Sequence, residues 1–441
     1  MRPSLNGSPF AERAAAQSLP MAPGGLATAL SRLCCHWLLT ALDTQGSNDF
    51  GPFPIMQRLV NVARQKPLAF TAARNRTPLV LNFARYLATM KALVYRDKDR
   101  IALQDRPKPE LSSPTDAIIK ITKTTICGTD LHILKGDVAT CKPGTILGHE
   151  GEGIVGEVGS AVTRFKPGDR VLISCISSCA KCEYCRRGMY SHCTSGGWIL
   201  GNTIDGTQAE YTRVPHADSS LHAIPGAVDM GAMVMLSDIF PTALECGVQN
   251  GKVCPGSTVA IVGSGPVGLA ALLTAQMYSP ATIVVLDKDP KRLEVAKKLG
   301  ATETINNSSE DAALAKVNEI TGGKGFDTVI EAVGVPATFE LCQKMLAPGG
   351  VLANVGVHGV PVKLHLDQLW AKNIAITTRL VDAGVTPMLI NQVAAGKLRP
   401  VDLVTHRFKL EEGEEAYRTF SRAGETGALK VLIETGPNTI H

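Results

Sequence analysis

Four cysteines at short, regular intervals constrain this 441-residue chain more than any other feature of its sequence. They are Cys179, Cys182, Cys185 and Cys193, a C-x2-C-x2-C-x7-C pattern. Four thiolates so close together can enclose one Zn²⁺ in a tetrahedral cage, which requires the intervening chain to fold into a compact loop. A closed cage leaves no position for water or substrate, so the predicted role is structural. An iron–sulfur cluster is the alternative, because similar cysteine runs also hold such clusters.

A glycine-rich loop stands between an apolar strand at Thr258–Val262 and a helix. Its residues are Gly263, Ser264, Gly265, Pro266, Val267 and Gly268. In such a loop the first glycine makes the turn, the second lets the backbone approach a pyrophosphate, and the third permits close packing of helix on sheet. The helix N-terminus adds free N–H groups and a partial positive charge. The loop therefore predicts a dinucleotide site.

An acid at the end of the next predicted strand bears on the choice of dinucleotide. Asp287 stands 19 residues after Gly268, where a carboxylate would bind the ribose 2′-OH. Since a 2′-phosphate there would meet like charge, NAD is predicted rather than NADP. Lys288 and Arg292 weaken this inference because they could partly neutralise Asp287, and Arg292 is itself a candidate cofactor-binding residue.

The pattern of strands and helices changes near Pro241. Short strands and turns dominate residues 90–240, whereas apolar strands and helices alternate over 241–380. Alternation of this kind predicts a parallel sheet covered by helices on both faces. Residues 381–441 return to mixed strands and a helix, and we expect them to rejoin the first domain. The predicted fold class is α/β, with a β-rich metal-binding domain and a doubly wound Rossmann domain.

Residues 1–89 differ in composition from the rest. They carry eight Arg and one Lys against three acids, Glu12, Asp43 and Asp49. The net positive charge of this segment therefore exceeds the net charge of +5 for the whole chain. Arg beside apolar residues at helical spacing, with few acids, is typical of a mitochondrial transit peptide. The alternatives are a disordered extension or a start at Met90, with a cytoplasmic location. Since the remaining residues are almost neutral, no nucleic-acid partner is predicted. No apolar run is long enough to span a membrane, so no membrane association is predicted either.

Two motifs in the β-rich part place metal-binding residue types beside glycines. They read Cys127-Gly-Thr129-Asp-Leu-His132 and Gly148-His149-Glu150. A single buried Cys is usually a small hydrophobe, and a single His is more often a hydrogen-bonded core residue. The turn-like glycines nevertheless favour a site, and a catalytic zinc takes three protein ligands and keeps a fourth position open.

From Met90 onward the sequence resembles the zinc-dependent medium-chain alcohol dehydrogenases. The resemblance rests on these two motifs, on Lys166-Pro-Gly-Asp-Arg-Val171, on the four cysteines and on the glycine loop, all in matching order and spacing. It implies a GroES-like catalytic domain beside the Rossmann domain, and two Zn²⁺ per subunit, one catalytic and one structural. The implied reaction is hydride transfer between an alcohol and NAD⁺ to give an aldehyde or ketone, in a homodimer or homotetramer.

The resemblance also implies a ligand set for the catalytic zinc. Cys127 and His149 match two of the family's ligands. The segment around Asp238 resembles that of the subgroup in which Asp is the third ligand, and Cys246 is the alternative. Glu150 matches a residue that can approach the zinc.

The same resemblance implies a route for the proton. Thr129 matches the family's relay hydroxyl, and His132 matches the His that passes the proton to solvent. Glu152 departs from the pattern, because an apolar or small residue is usual there.

Related functions remain as alternatives. Polyol and formaldehyde dehydrogenases share these motifs and differ in pocket shape, whereas related quinone reductases lack the zinc ligands. A non-catalytic NAD-binding protein of the same fold is the alternative from another class.

Overall fold

The computed structural model describes residues 89–226, 228 and 233–436. Apart from Thr89, the predicted N-terminal extension lies outside the described residues. The prediction of a targeting role concerns this extension and therefore also lies outside them. In the part of the chain that is described, no helix has both the length and the apolar character needed to cross a membrane.

Strands occur along the whole described chain. They are β1 Thr89–Asp97, β2 Arg100–Pro107, β3 Ala117–Ile126, β4 Gly151–Val158, β5 Arg170–Ile173, β6 Tyr211–Val214, β7 Leu221–Ala223, β8 Thr258–Val262, β9 Thr282–Asp287, β10 Glu303–Asn306, β11 Phe326–Glu331, β12 Leu346–Asn354, β13 Ala375–Thr378, β14 Val404–Lys409 and β15 Lys430–Glu434.

Helices are concentrated in the second half. The α-helices are α1 Gly128–Lys135, α2 Glu183–Arg186, α3 Ala217–Ser220, α4 Ile239–Thr242, α5 Pro266–Ala275, α6 Pro290–Lys298, α7 Glu310–Thr321, α8 Pro336–Lys344, α9 Leu366–Leu369, α10 Thr386–Ala394, α11 Gly413–Ser421 and α12 Ala423–Thr426. A π-helix spans Ala243–Gln249, and 3₁₀ turns span Tyr190–His192, Val234–Ser237, Gln276–Tyr278, Pro400–Leu403 and Leu410–Glu412.

Six of these strands form a parallel sheet in the order β10-β9-β8-β11-β12-β13. Counted from β8, this is the 3-2-1-4-5-6 order of a Rossmann fold. The apolar strand residues Val259, Ile261 and Val285 are fully buried, as expected for strands covered on both faces. The order reverses between β8 and β11, and folds of this kind form their crevice for a dinucleotide at the carboxyl ends of the strands at such a point.

A second sheet has the order β14-β15-β3-β4-β5-β7, with β6 also paired to β3. Strand β15 comes from the C-terminal part of the chain and pairs antiparallel with β3, with Val431 opposite Ile126. Because β3 ends at Ile126, directly before Cys127, this pairing brings residue 430 beside the motif that begins at Cys127. The two sheets confirm the predicted α/β class with a β-rich unit and a Rossmann unit.

The unusual Glu152 is accommodated by a buried ion pair. It lies on β4, fully buried, directly opposite Lys123 on β3. The Lys123 Nζ is 3.8 Å from a carboxylate oxygen of Glu152. An ion pair between the two strands thus replaces the apolar contact that is usual at this position.

Candidate metal centre and dinucleotide site

Four side chains from distant parts of the sequence converge at one point. Cys127, His149, Glu150 and Asp238 each offer one ligand atom, and these atoms all lie within 4.8 Å of one another. Asp238 Oδ2 lies 3.7 Å from Cys127 Sγ and 3.2 Å from His149 Nε2. Ordinary zinc bond lengths and tetrahedral angles would separate such pairs by about 3.6 Å and about 3.4 Å. The donor set and its spacing therefore fit a single Zn²⁺.

Local structure explains how the first two of these residues are held. Cys127 directly follows β3 and is the N-cap of α1, and its backbone N–H donates to Asp130 at 2.9 Å. Gly148, before His149, has φ +94°, and a Cβ there would lie 2.7 Å from Gln208 and Thr207 side-chain atoms. Glycine is therefore required for the turn that presents His149.

Asp238 is positioned by the residues on either side of it in the chain. Ser237, the preceding residue, accepts from the Gly151 N–H at 3.1 Å and donates to the Gly151 carbonyl at 3.2 Å. After Asp238, helix α4 and the π-helix pack against α5, the helix that follows the glycine loop. The carboxylate is further oriented by the Thr242 hydroxyl, which donates to Oδ1 at 2.5 Å and leaves Oδ2 towards Cys127 and His149. Thr242 is a positioning residue that sequence reasoning missed.

Cys246, the alternative third ligand, is not in this group of ligand atoms. It lies on the π-helix in a buried apolar cluster with Cys175 and Ile176, against which Trp198 packs. The Trp198 ring stands edge-on to the ring of His149, with centroids 6.1 Å apart. The cluster therefore forms an apolar wall beside the ligand group.

The group is rich in negative charge. Burial alone lowers the pKa of His149, but hydrogen bonds to Asp238 and Cys127 outweigh it and hold that pKa well above its usual value. Burial raises the pKa of Asp238, but the hydrogen bond from His149 brings it down to about 2. The acids around His149 thus favour a positive charge at this point, and a Zn²⁺ would take the place of the proton on the imidazole.

A second layer supports the His. Asp130 Oδ1 is buried without a hydrogen-bond partner among the described residues and lies 3.9 Å from His149 Nδ1. Its Oδ2 accepts from Gln208 Nε2 at 3.1 Å, and Gln208 Oε1 accepts from the Tyr417 hydroxyl at 2.7 Å. A carboxylate behind a metal-binding His fixes the ring orientation and increases ligand basicity. Neither Gln208 nor Tyr417 had any local signal in the sequence.

Glu150 has a buried cation as its partner. Lys430 on β15 donates to Glu150 Oε2 at 2.5 Å and to the Ile126 carbonyl at 3.2 Å, and both charged side chains are 1% exposed. The Thr125 hydroxyl also donates to Oε2. No motif pointed to Lys430, which is 280 residues from Glu150 in sequence.

The predicted relay residues share one face of α1. Thr129 Oγ1 lies 3.7 Å from Cys127 Sγ. His132, one turn further on, is partly exposed, and its Nδ1 is 2.9 Å from Asp137 Oδ2. Residues three apart on a helix are neighbours, so the pair leads from the ligand group towards solvent.

The four closely spaced cysteines near residue 180 also converge. The Sγ atoms of Cys179, Cys182, Cys185 and Cys193 all lie within 4.8 Å of one another. The separation of Cys179 and Cys185 is 4.0 Å, close to the about 3.8 Å expected between two thiolates on one tetrahedral zinc. Backbone N–H groups of Cys179 and Cys182 point at Cys193 and Cys179 sulfurs, which stabilises thiolates. This spacing suits one ion, whereas a multi-iron cluster holds its thiolates further apart because several ions lie between them.

The glycine loop has the local geometry of a pyrophosphate site. Gly263 has φ +101°, and a Cβ at Gly268 would lie 1.8 Å from the Gly263 carbonyl oxygen, so turn and packing require both glycines. Gly265 is different, because a Cβ there would meet only Arg292 at 3.7 Å and its φ is −73°. The space beside Gly265 is therefore open, which is the room that close approach of a pyrophosphate to the backbone would need. Pro266 opens helix α5 directly behind it.

Asp287 lies at the carboxyl end of β9 and closes the loop. Its carboxylate accepts from the Ser264 N–H at 2.7 Å and from the Asp289 N–H at 2.9 Å. Arg292 lies 4.0 Å from Asp289. The carboxylate is thus rigidly placed at the edge of the crevice.

Comparisons with known proteins agree with this geometry. Residues 113–226 match the family described as alcohol dehydrogenase GroES-like domain, and residues 266–393 match the zinc-binding dehydrogenase family. An alcohol dehydrogenase of Cupriavidus necator is 37% identical over 79% of this chain and 99% of its own length.

Solved structures give the same result. Zinc-dependent alcohol dehydrogenase 2 from Streptococcus pneumonia is 53% identical, covers 80% of this chain and 100% of its own, and has a TM-score of 0.76. An alcohol dehydrogenase of Thermus sp. ATN1 is 35% identical over 78% of this chain and 99% of its own, with a TM-score of 0.73.

Fold, ligand groups and comparisons define an oxidoreductase that uses zinc and a nicotinamide cofactor. The chain belongs to the zinc-dependent medium-chain alcohol dehydrogenase family. This confirms the family and the general function predicted from the sequence motifs.

Proposed function

We propose that the protein oxidises a small alcohol to an aldehyde or ketone with NAD⁺, and that Cys127, His149 and Asp238 hold the catalytic zinc. The observation that supports this most directly is the convergence of one sulfur, one imidazole nitrogen and one carboxylate oxygen at zinc-like spacing. Three protein ligands leave a fourth position for the substrate oxygen. When bound, the zinc supplies a Lewis acid that lowers the pKa of a hydroxyl group.

The chain's own residues complete the proposed chemistry. The Thr129 hydroxyl, beside Cys127, would accept the alcohol proton, and His132 would carry it towards solvent with Asp137 orienting its ring. The apolar wall formed by Trp198 and its neighbours favours a substrate with an apolar carbon skeleton over a polyol, whose further hydroxyls would lose their partners there.

We propose NAD as the cofactor because Asp287 stands at the edge of the dinucleotide crevice. The negative charge of Asp287 would repel a 2′-phosphate. Arg292, which could otherwise attract one, lies beside the acid Asp289. The four cysteines would hold a second, structural zinc, giving two per subunit. Substituting Cys182 by Ser should reduce the zinc content to one and lower the thermal unfolding midpoint; two retained zinc ions would exclude the cage.

The full-length protein can test the main proposal directly. NADH absorbance would be followed with NAD⁺ and a panel of primary, secondary and polyhydric alcohols, with and without a zinc chelator. We expect chelator-sensitive NADH formation, fastest with apolar alcohols. His149→Ala should abolish turnover and reduce the zinc content from two per subunit towards one, whereas unchanged turnover in this variant would exclude the proposed ligand set.

We further propose that the subunit pairs with a second copy of itself through the outer edge of β13. Within the described residues this strand ends the parallel sheet and has no partner on that side. The segment leading to it exposes apolar side chains, Trp370 at 79% and Val357 at 66%. Exposed apolar residues beside a free strand edge are typical of an interface.

Sedimentation of the purified protein should show a dimer or tetramer. Trp370→Glu combined with Val357→Lys should shift the distribution to smaller species at equal concentration. An unchanged distribution would exclude this face as the interface.

For residues 1–89 we propose a mitochondrial targeting role, which rests on their excess of Arg and few acids. A fluorescent reporter fused to this segment should enter mitochondria. A reporter that stays in the cytosol would contradict the proposal.

A further inference from the structure

A cavity of about 440 Å³ lies apart from the catalytic ligand group and the glycine loop. None of the residues that line it is a candidate ligand of the catalytic zinc or a member of that loop. Its walls come from the turn between β4 and β5, the segment after β5, residues 216–222 and residues 382–387. A cavity of this size accommodates a small molecule. The chemistry of its lining indicates which class of molecule fits.

Two basic side chains at this cavity are free to bind a ligand. The Arg164 guanidinium donates to the backbone carbonyl of Asp218 but forms no ion pair with any described residue. The ring of His222 is half-buried and has no hydrogen-bond partner among the described residues. Burial and the nearby charge of Arg164 lower the pKa of His222 to about 4, so near pH 7 the ring is neutral and has one N–H to donate. The third basic group, His216, is instead hydrogen-bonded to Ser195 at 3.1 Å.

The acids at this cavity are already satisfied by the chain. The Asp218 carboxylate accepts from two successive backbone N–H groups, the second of which is that of Arg164 at 2.9 Å. The Asp382 carboxylate accepts from the Ser191 N–H and from the Arg379 guanidinium, both at 2.8 Å, and Arg379 also neutralises its charge. The charged groups that remain without a partner are therefore donors, which favours a ligand with a negative charge.

Apolar side chains and hydroxyl groups complete the lining. Val162, Ile176 and Pro387 are apolar, and the hydroxyls of Ser178 and Tyr190 have no hydrogen-bond partner in the described chain. A guanidinium presents parallel N–H groups that match the two oxygens of a carboxylate. The lining therefore fits a small carboxylic acid with a short apolar body.

Part of the lining is shared with the wall beside the catalytic group. Ile176 and Ala383 line the cavity and also belong to the buried apolar cluster that contains Cys246. Trp198 packs against the same cluster and stands edge-on to His149. Because a close-packed interior transmits small displacements, an occupant of the cavity would act on the wall that borders the substrate position.

We propose that this cavity is a regulatory site for a small carboxylic acid, whose carboxylate binds to Arg164 and His222, and that its occupancy changes the substrate affinity through Ile176 and Ala383. Two separate sites that share one packed wall are coupled if the ligand of either site favours a different arrangement of that wall. The binding site stands on the cavity alone, whereas the coupling rests on the function proposed above.

Isothermal titration calorimetry of the full-length protein with hexanoate tests the site without any turnover. Hexanoate should bind, and its dissociation constant should rise by about tenfold in Arg164→Gln and by about threefold in His222→Phe, which removes the ring N–H. No binding, or binding unchanged in Arg164→Gln, would overturn the proposal. Hexyl phosphate should bind more weakly, and tighter binding would assign the cavity to phosphate esters and overturn the proposed class.

Arg170→Gln is the matched control. Arg170 also donates to backbone carbonyls, those of Gly226 and Val228, but does not line the cavity. Hexanoate affinity should be unchanged in this variant, and an equal loss in both variants would show general damage to the sheet and overturn the proposal. If Arg164→Gln does not fold, Arg164→Lys keeps the charge without the fork and should weaken binding by about threefold. Unchanged affinity in Arg164→Lys would then overturn it.

The coupling is measured by NADH formation. With hexanoate near saturation, KM for the alcohol should change by about threefold in the wild-type protein and stay unaltered in Arg164→Gln. An equal change in both proteins would show that hexanoate acts at the catalytic metal, and no change in the wild type would overturn the coupling. If no alcohol is oxidised, the proposed function fails, while calorimetry still decides whether the cavity is a binding site.

Discussion

Asp130 places a carboxylate oxygen 3.9 Å from Nδ1 of His149, on the side of the ring opposite to Asp238, which lies 3.2 Å from Nε2. The imidazole is therefore held between an outer carboxylate and an inner one. Neither Asp130 Oδ1 nor His149 Nδ1 has a hydrogen-bond partner among the described residues, so a small approach would let Nδ1–H donate to this carboxylate and leave Nε2 as the ligand atom.

Replacing Asp130 by Asn should weaken the catalytic zinc without removing a ligand. Loss of a carboxylate behind a ligating His typically costs about 10- to 100-fold in metal affinity. Competition with a chromophoric chelator would measure the dissociation constant. Asp137→Asn, a matched change at the acid that faces His132 instead, should leave zinc affinity unaltered, and equal affinity in both variants would argue against this role of Asp130.

The hydroxyl of Thr129 should be required for turnover, whereas its methyl group should not. Thr129→Val keeps the shape but removes the proton acceptor, and we expect kcat to fall by about 100-fold or more, the usual contribution of a positioned proton-transfer group. Thr129→Ser should retain most activity. Zinc content and NADH binding, measured alongside, should be unchanged in both variants; a Val variant as active as wild type would remove Thr129 from the relay.

Charge at Asp287 should determine cofactor preference. Asp287→Asn removes the repulsion of a 2′-phosphate, while its single amide oxygen can still accept from one of the Ser264 and Asp289 N–H groups. The ratio of NADPH to NADH dissociation constants should shift towards NADPH by about tenfold, the value of about 1.4 kcal/mol. Fluorescence titration would measure both. Asp311→Asn, at an exposed acid in the first turn of α7, should not change this ratio.

His222, in the strand β7, should make the protein acid-sensitive independently of the metal. Burial, with the charge of Arg164, lowers the pKa of His222 from 6.5 to about 4. The unfolded chain therefore binds a proton in the window between these values while the folded protein does not. Stability is lost as pH falls from above 6.5 towards 4, by roughly 2 kcal/mol at pH 5 relative to pH 8.

The variant His222→Gln should consequently show a smaller drop in thermal unfolding midpoint between pH 8 and pH 5 than the wild-type protein. His192→Gln, at an exposed His, should drop as much as wild type. Identical behaviour of all three proteins would show that His222 is protonated equally in the folded and unfolded states.

Features that depend on neighbouring residues could be predicted from sequence. The cysteine spacing, the glycine loop with its strand at Thr258–Val262, and the Cys127 and His149 turns all follow from local backbone and ligand requirements, and the structure brings the corresponding residues together. The choice between Asp238 and Cys246 was different, because both lie on the same short segment. Packing of the π-helix directs Cys246 into an apolar cluster, which periodicity alone did not reveal.

The sequence by itself determined the family, the combination of a β-rich unit with a Rossmann unit, and the identity of most candidate ligands, since motifs at fixed spacing encode short-range geometry. Only the tertiary structure decided which groups surround them: Asp130 behind His149, Thr242 on Asp238, and Lys430 beside Glu150. The physical reason is that a buried charge needs a partner of opposite charge, and strand pairing can supply it from 280 residues away, where no local pattern marks it.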